Sequence, residues 1–158
     1  MAVHQIEDLD LHLDIVGTGA YLGELKILAQ KLEIENKVTF HGRVDDDELD
    51  RIYASADIYL IPTMRYEGLP LALLEAMSHG IPTISSEIGG NADVITHDFD
   101  GLFIKPGDMK ELMEAIRKLG NNVEVRKSIS NAARETTEKR FDKERMIEET
   151  LEILENMI

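Results

Sequence analysis

Apolar residues recur along the chain in two rhythms that take turns. Leu11–Val16 (LHLDIV) alternates apolar and polar positions, the period of a strand. Gly17-Thr18-Gly19 then turns into a stretch, roughly Tyr21–Leu32, where Leu22, Leu25, Leu28, Ala29 and Leu32 fall at helical spacing. Val38–Phe40 reads as a short strand, and Asp45–Asp47 offers capping carboxylates for a helix over Glu48–Ala54. Ile58–Ile61 follows as a strand, then Pro70–Ser78 as a helix with proline in its first turn. Ile81–Ser85 is the next strand, entered through Gly80-Ile81-Pro82, and Leu102–Ile104 the last. Beyond it the pattern is helical over Asp108–Leu119, Val123–Glu138 and Lys143–Met157, with Asn121-Asn122 breaking the first from the second.

Strand–helix alternation without an internal repeat or a Gly/Ser-rich linker implies parallel strands under helices. The expectation is one α/β domain over residues 1–158: a Rossmann-like parallel sheet with helices on both faces and a helical C-terminal tail. Ligands of such sheets bind beyond the carboxyl ends of the strands. The turns at Gly17–Gly19 and before Pro70 are the two places to inspect.

Composition narrows the function. The chain has 158 residues, 43% apolar and 30% charged, as in an ordinary globular domain. No apolar run approaches the roughly 18 residues of a membrane span. The start, MAVHQIEDLD, lacks the features of a signal peptide, and there are no cysteines for disulfides or thiolate metal sites. A soluble, cytoplasmic protein is the plain expectation. The net charge of −14 repels phosphate polymers and anionic lipid, so nucleic acid is not an expected partner. A small anion is still admissible, because backbone N–H groups at a helix start hold one locally.

The segment Glu67-Gly68-Leu69-Pro70-Leu71-Ala72-Leu73-Leu74-Glu75 is the most informative. It follows a strand and enters a helix, so the N–H groups of Leu71 and Ala72 point out of the positive end of the helix dipole. Glu67 lies on the loop and Glu75 about two turns along, placed to touch different parts of one ligand. Taken on chemistry alone, two glutamates flanking a helix start on a solvated surface explain the pattern equally well. Gly17-Thr18-Gly19 suits phosphate approach but also simply makes a tight turn, and no third glycine completes a dinucleotide fingerprint. The histidines at 4, 12, 41, 79 and 97 lack metal-ligand spacing and read as surface or packing residues. Helix capping explains Asp45–Asp47 without a cation.

The E-x7-E spacing of Glu67 and Glu75 within EGLPLALLEAMSHGIPTISS resembles the signature of family-four retaining glycosyltransferases and their GT-B relatives. IVGTG, VTFHGRVDDDELDRIYASADIYLIPT, GIPTISSEIGG and DGLFIKPGD follow in the family's order, so the likeness covers nearly the whole chain. It implies the C-terminal, donor-binding half of such an enzyme, binding a nucleoside-diphosphate sugar and needing neither a metal nor a further cofactor. In that likeness Glu75 would accept hydrogen bonds from the ribose hydroxyls. Glu67, the one residue placed as catalytic, would stand beside the reacting carbon and stabilise positive charge there. The backbone at Gly68, Leu69, Pro70, Leu71 and Ala72 would hold the distal phosphate and sugar. The loop with Arg43, Val44 and Asp46 would read the base, and Gly17 and Gly19 would face the interdomain cleft. Gly89-Gly90 would border the same cleft, with Asp93 where the family often has a glutamate.

One departure matters. The family's domain begins with a strand, a glycine–arginine turn, a nearby lysine and a helix. Here Met1–Asp10 matches at best the tail of that helix, and no GR…K pattern precedes Gly17. The basic clamp for the leaving diphosphate is absent from this sequence, and the central strand of the 3-2-1-4-5-6 order with it. The sheet must then close the gap, borrow a strand or leave edges open; a homodimer is one way to cover them. Transfer by the chain alone is not expected, because the acceptor side belongs to an N-terminal domain or a partner chain. A donor-binding or regulatory subunit of a split two-chain enzyme, and a non-catalytic remnant, are the alternatives. The terminal helix crosses to the other domain in GT-B enzymes; in this chain it is expected to pack on its own domain.

Overall fold

The computed structural model, which describes residues 1–156, opens with a short helix α1 (Ala2–Gln5) and then alternates. The order is β1 (Leu13–Val16), α2 (Leu22–Lys31), β2 (Val38–Gly42), α3 (Asp46–Ser55), β3 (Tyr59–Ile61), α4 (Leu71–Ser78), β4 (Thr83–Ser86), α5 (Asn91–Val94) and β5 (Leu102–Ile104). Three helices follow: α6 (Met109–Gly120), α7 (Val123–Arg140) and α8 (Lys143–Glu155). The expected helix end at Met157 lies outside the described residues. Polar residues start the longer helices: Asp45, Asp108, Asn122 and Asp142 each accept hydrogen bonds from first-turn N–H groups. Helix α1 lies within Met1–Asp10, where the likeness put the tail of a helix, whereas α5 and the 3-10 turn Glu35–Lys37 were not expected, being too short to show a period.

All strand pairs are parallel, but the single expected sheet is two. Strand β1 pairs only with β2, while β3–β4–β5 form a separate ladder. No strand pairs the second edge of β1 or of β3 among the described residues. The gap is not closed by pairing of β1 with β3 among the described residues.

The three-stranded sheet is covered on both faces. Ile58, Leu60, Ile84, Leu102 and Ile104 pack with Ala2 and Ile6 and with Leu112, Ala115, Ile116 and Leu119 of α6. On the other face Ile61 and Phe103 meet Leu73 and Met77 of α4, Val94, and Ala133 of α7. The two-stranded sheet carries its own apolar cluster on one face. Leu13, Ile15, Val38 and Phe40 cluster with Ala29 and Ile34. The alternate positions carry polar side chains that bond to one another: His12 to Thr39 at 2.8 Å and His41 to Asp14 at 2.6 Å. Strict alternation supplies one apolar face only, so the other gains nothing by being covered.

Helix α8 is a second correction. It was expected to pack on its own domain, yet none of its described residues is buried, and Met146, Ile147, Leu151, Ile153 and Leu154 are exposed. No helix among the described residues is long and apolar enough to cross a membrane.

One buried carboxylate ties the second sheet to α7. Asp100, 1% exposed, accepts the Thr96 N–H at 2.6 Å and the buried Thr136 hydroxyl at 2.7 Å. Asp100→Ala leaves that hydroxyl buried without an acceptor, so its unfolding free energy from urea titration should fall by about 3 kcal/mol. Asp100→Asn keeps an acceptor oxygen and should lose less.

Candidate functional site

Strand β3 delivers the loop that carries Glu67 to the start of α4. Pro70 occupies the cap itself (φ −77°, ψ 106°), one position before the first turn where the sequence suggested it. Its carbonyl accepts from Leu73 at 3.0 Å, and no side chain caps the helix. The N–H groups of Leu71 and Ala72 have no protein acceptor among the described residues, and Leu69, Leu71 and Ala72 are exposed. Open donors at the positive end of a helix dipole suit an anion.

The Glu67 loop is held by backbone. Gly90 donates its N–H to the Glu67 carbonyl at 3.0 Å. Side chains are shut out of this contact: a Cβ on Gly90 would overlap the Gly68 carbonyl, and one on Gly89 the Glu67 carbonyl. Gly89 also sits at φ +58°, where glycine alone is unstrained. The Glu67 carboxylate itself is exposed.

Glu75 is exposed on α4 and lines an open cleft of about 320 Å³ with Leu74, Ser78, Thr137, Glu138 and Phe141. Its Oε2 accepts the Tyr53 hydroxyl at 3.3 Å. Burial raises the Tyr53 phenol far above the usual tyrosine range, helped by neighbouring Tyr59 and the Glu75 charge. Tyr59 is raised as well, by burial first and then by Glu75 and Glu67. Both carboxylates therefore act on one half-buried tyrosine of β3. Each phenol binds its proton more tightly in the folded state than in the unfolded one. Their contribution to stability is complete below the unfolded value near pH 10 and is lost as pH rises above it. Urea midpoints should accordingly drop above pH 10, and Tyr53→Phe should flatten that drop without changing the slope near pH 7.

The remaining predicted residues stand on the other sheet. Gly17 (φ +121°) donates its N–H to the Gly42 carbonyl at 2.7 Å, which ties the turn after β1 to the turn after β2. That N–H is committed to the tight turn, while the Gly19 carbonyl accepts from Leu22 at 3.1 Å. Arg43 is exposed, Val44 half-buried, and Asp46 opens α3. No hydrogen bond or ion pair joins residues 17–19 or 43–46 to residues 67–75 among the described residues. The link is α3, which starts at Asp46 and brings Tyr53 to Glu75. Tyr53 and Tyr59 went unnoticed in the sequence, because a tyrosine at a core position of a helix or strand shows its carboxylate neighbour only in space. No three His, Asp or Glu side chains are grouped to hold a metal ion among the described residues.

The family model described as "Glycosyl transferases group 1" matches residues 1–136. The chain belongs to the group 1 glycosyl transferases. Sulfoquinovosyl transferase SQD2 of Arabidopsis thaliana is 35% identical over 133 residues, 82% of this chain and 25% of that protein. An uncharacterized glycosyltransferase of Haemophilus influenzae is 34% identical over 146 residues, 92% of this chain and 40% of its own length. Among solved structures, Anabaena Alr3699/HepE in complex with UDP superposes with a TM-score of 0.92 at 24% identity, covering 98% of this chain and 43% of that one. The C-terminal domain of the group 1 family protein LpcC from Francisella tularensis gives 0.71 at 21% identity, covering 80% and 66%. This glycosyl transferase chain thus has the fold of the C-terminal, GT-B domain. It spans 25% to 40% of the length of the first three curated relatives it matches.

Proposed function

We propose that this group 1 glycosyl transferase chain is the donor-binding half of an enzyme that moves a sugar from a nucleoside diphosphate to an acceptor with retention of anomeric configuration. The observation that carries the reading is the open start of α4, its free N–H groups flanked by the carboxylates of Glu67 and Glu75. In transfer the anomeric C–O bond breaks and its electron pair leaves with the diphosphate. The Leu71 and Ala72 N–H groups would meet that growing negative charge. Glu67 would face the positive charge left on the sugar, and Glu75 would hold the ribose. Gly17, Gly19, Arg43, Val44 and Asp46 would border the nucleotide from the other sheet. The donor is the only small-molecule ligand in this proposal, and the cytoplasm is its setting.

The acceptor side would come from an N-terminal domain or a separate partner chain, which is why the chain alone is proposed to be inactive. The open edges of β1 and β3 favour completion by an added extended segment, either from that partner or from a second copy of this chain. Native mass spectrometry separates the two: a homodimer at micromolar concentration supports self-completion, a monomer a partner.

Calorimetric titration with UDP, GDP and ADP tests the donor reading. UDP comes first because Alr3699/HepE is described with UDP and with UDP-glucose. GDP follows because a Mycobacterium tuberculosis relative, 34% identical over 113 residues, is named as GDP-mannose-dependent. Saturable binding of one nucleotide supports the proposal. No heat with any of the three at millimolar concentration contradicts it.

A further inference from the structure

We infer that Tyr53 is a positioning residue for Glu75: its hydroxyl fixes one carboxylate oxygen so that the other is presented to the ribose diol. The inference rests on the donor-site reading above and adds what gives that site its preference for ribose. Glu75 stands exposed on α4, where an unrestrained glutamate samples many rotamers and loses that freedom on binding a sugar. Tyr53 removes part of the cost in advance. It is 8% exposed, set edge-on against Tyr59 with ring centres 6.2 Å apart, and tilted over His79 at 5.0 Å. His79 is itself anchored, its ring 3.5 Å from Asp50 of α3 and its carbonyl accepting from Arg134 at 3.0 Å. The phenol therefore has little room to turn, and its oxygen lies 3.3 Å from Oε2 of Glu75. Oε1 has no partner among the described residues. Burial, with Tyr59 and the Glu75 charge beside it, raises the phenol well above the usual tyrosine range, so the hydroxyl is the donor of this pair.

A tyrosine that only fills the core would make the same ring contacts, but its hydroxyl would be indifferent to the sugar. Tyr53→Phe removes the one atom at issue. The probe is whichever of UDP, GDP and ADP the wild type binds, paired with its 2′,3′-dideoxy counterpart. Tyr53→Phe should weaken the ribonucleotide about three- to tenfold, the range for one long hydrogen bond to a carboxylate. It should leave the dideoxy nucleotide unchanged and have no further effect in a Glu75→Ala background. In the wild type, with tyrosine labelled in the ring, the Tyr53 Cζ resonance should move on adding the ribonucleotide and stay on adding the dideoxy form. That second readout holds even where the variant is too unstable to titrate. Equal loss for both nucleotides, or none, overturns the positioning role and leaves the donor site standing. Glu75→Ala binding both nucleotides like wild type, or no nucleotide binding at all, removes the donor-site reading and this inference with it.

Discussion

Glu75→Ala should weaken binding of the ribonucleoside diphosphate at least tenfold while leaving the circular dichroism spectrum and urea midpoint near wild type. The carboxylate is exposed, so its loss creates no cavity and strands no buried partner apart from the edge of the Tyr53 hydroxyl. Its proposed service is to accept two ribose hydroxyls at once, and hydrogen bonds to a charged group are worth about 1.5–3 kcal/mol each when formed away from water. Solvent at this open cleft reduces that, so a total near 2 kcal/mol, or about thirtyfold, is the expectation. Calorimetry on wild type and variant reads it directly.

Gly90→Ala should have the largest combined effect on stability and binding. The added methyl would overlap the Gly68 carbonyl, which is backbone and cannot rotate away, and would also crowd the Leu69 Cα. Either the Gly89-Gly90 turn or the Glu67 loop must shift, and the Gly90 N–H bond to Glu67 is strained in both cases. A loss of about 2–3 kcal/mol in unfolding free energy is expected for such overpacking, with nucleotide-sugar binding falling more than tenfold because the displaced loop leads into α4. Gly23→Ala is the matched control. It lies in α2 with open space around its Cβ position, so it should stabilise by about 0.5–1 kcal/mol and leave binding alone.

Much of the fold was legible because the signals are local. A helix with an aspartate or asparagine at its cap, such as α3 or α6, announces its start in the sequence, and the five strands fall where short apolar runs meet glycine or proline. The candidate site was legible as a segment, Glu67 to Glu75, because a strand, a loop and a proline-led helix are adjacent in the chain. What could not be read depends on partners distant in sequence. The alternation of Leu13, Ile15 and their polar neighbours specifies one apolar face, but only the structure shows the polar side chains His12, Thr39, His41 and Asp14 bonding to one another across the strands. The heptad-like spacing of Ile147, Leu151 and Leu154 marks an amphipathic helix without saying what its apolar side meets, and none of the described residues of α8 is buried. Tyr53 and Glu75 are 22 positions apart, and the Gly90 contact with Glu67 is made by backbone atoms that no side-chain pattern reveals.

The central claim is that nucleotide diphosphate binds where α4 begins. Amide-resolved NMR of the labelled chain during titration with UDP, GDP and ADP tests it most directly. The account predicts that one nucleotide saturably shifts the Leu71 and Ala72 amides, which have no protein acceptor among the described residues, together with those around Glu75. Saturable shifts confined to other faces of the molecule, with Leu71 and Ala72 unmoved, would contradict it.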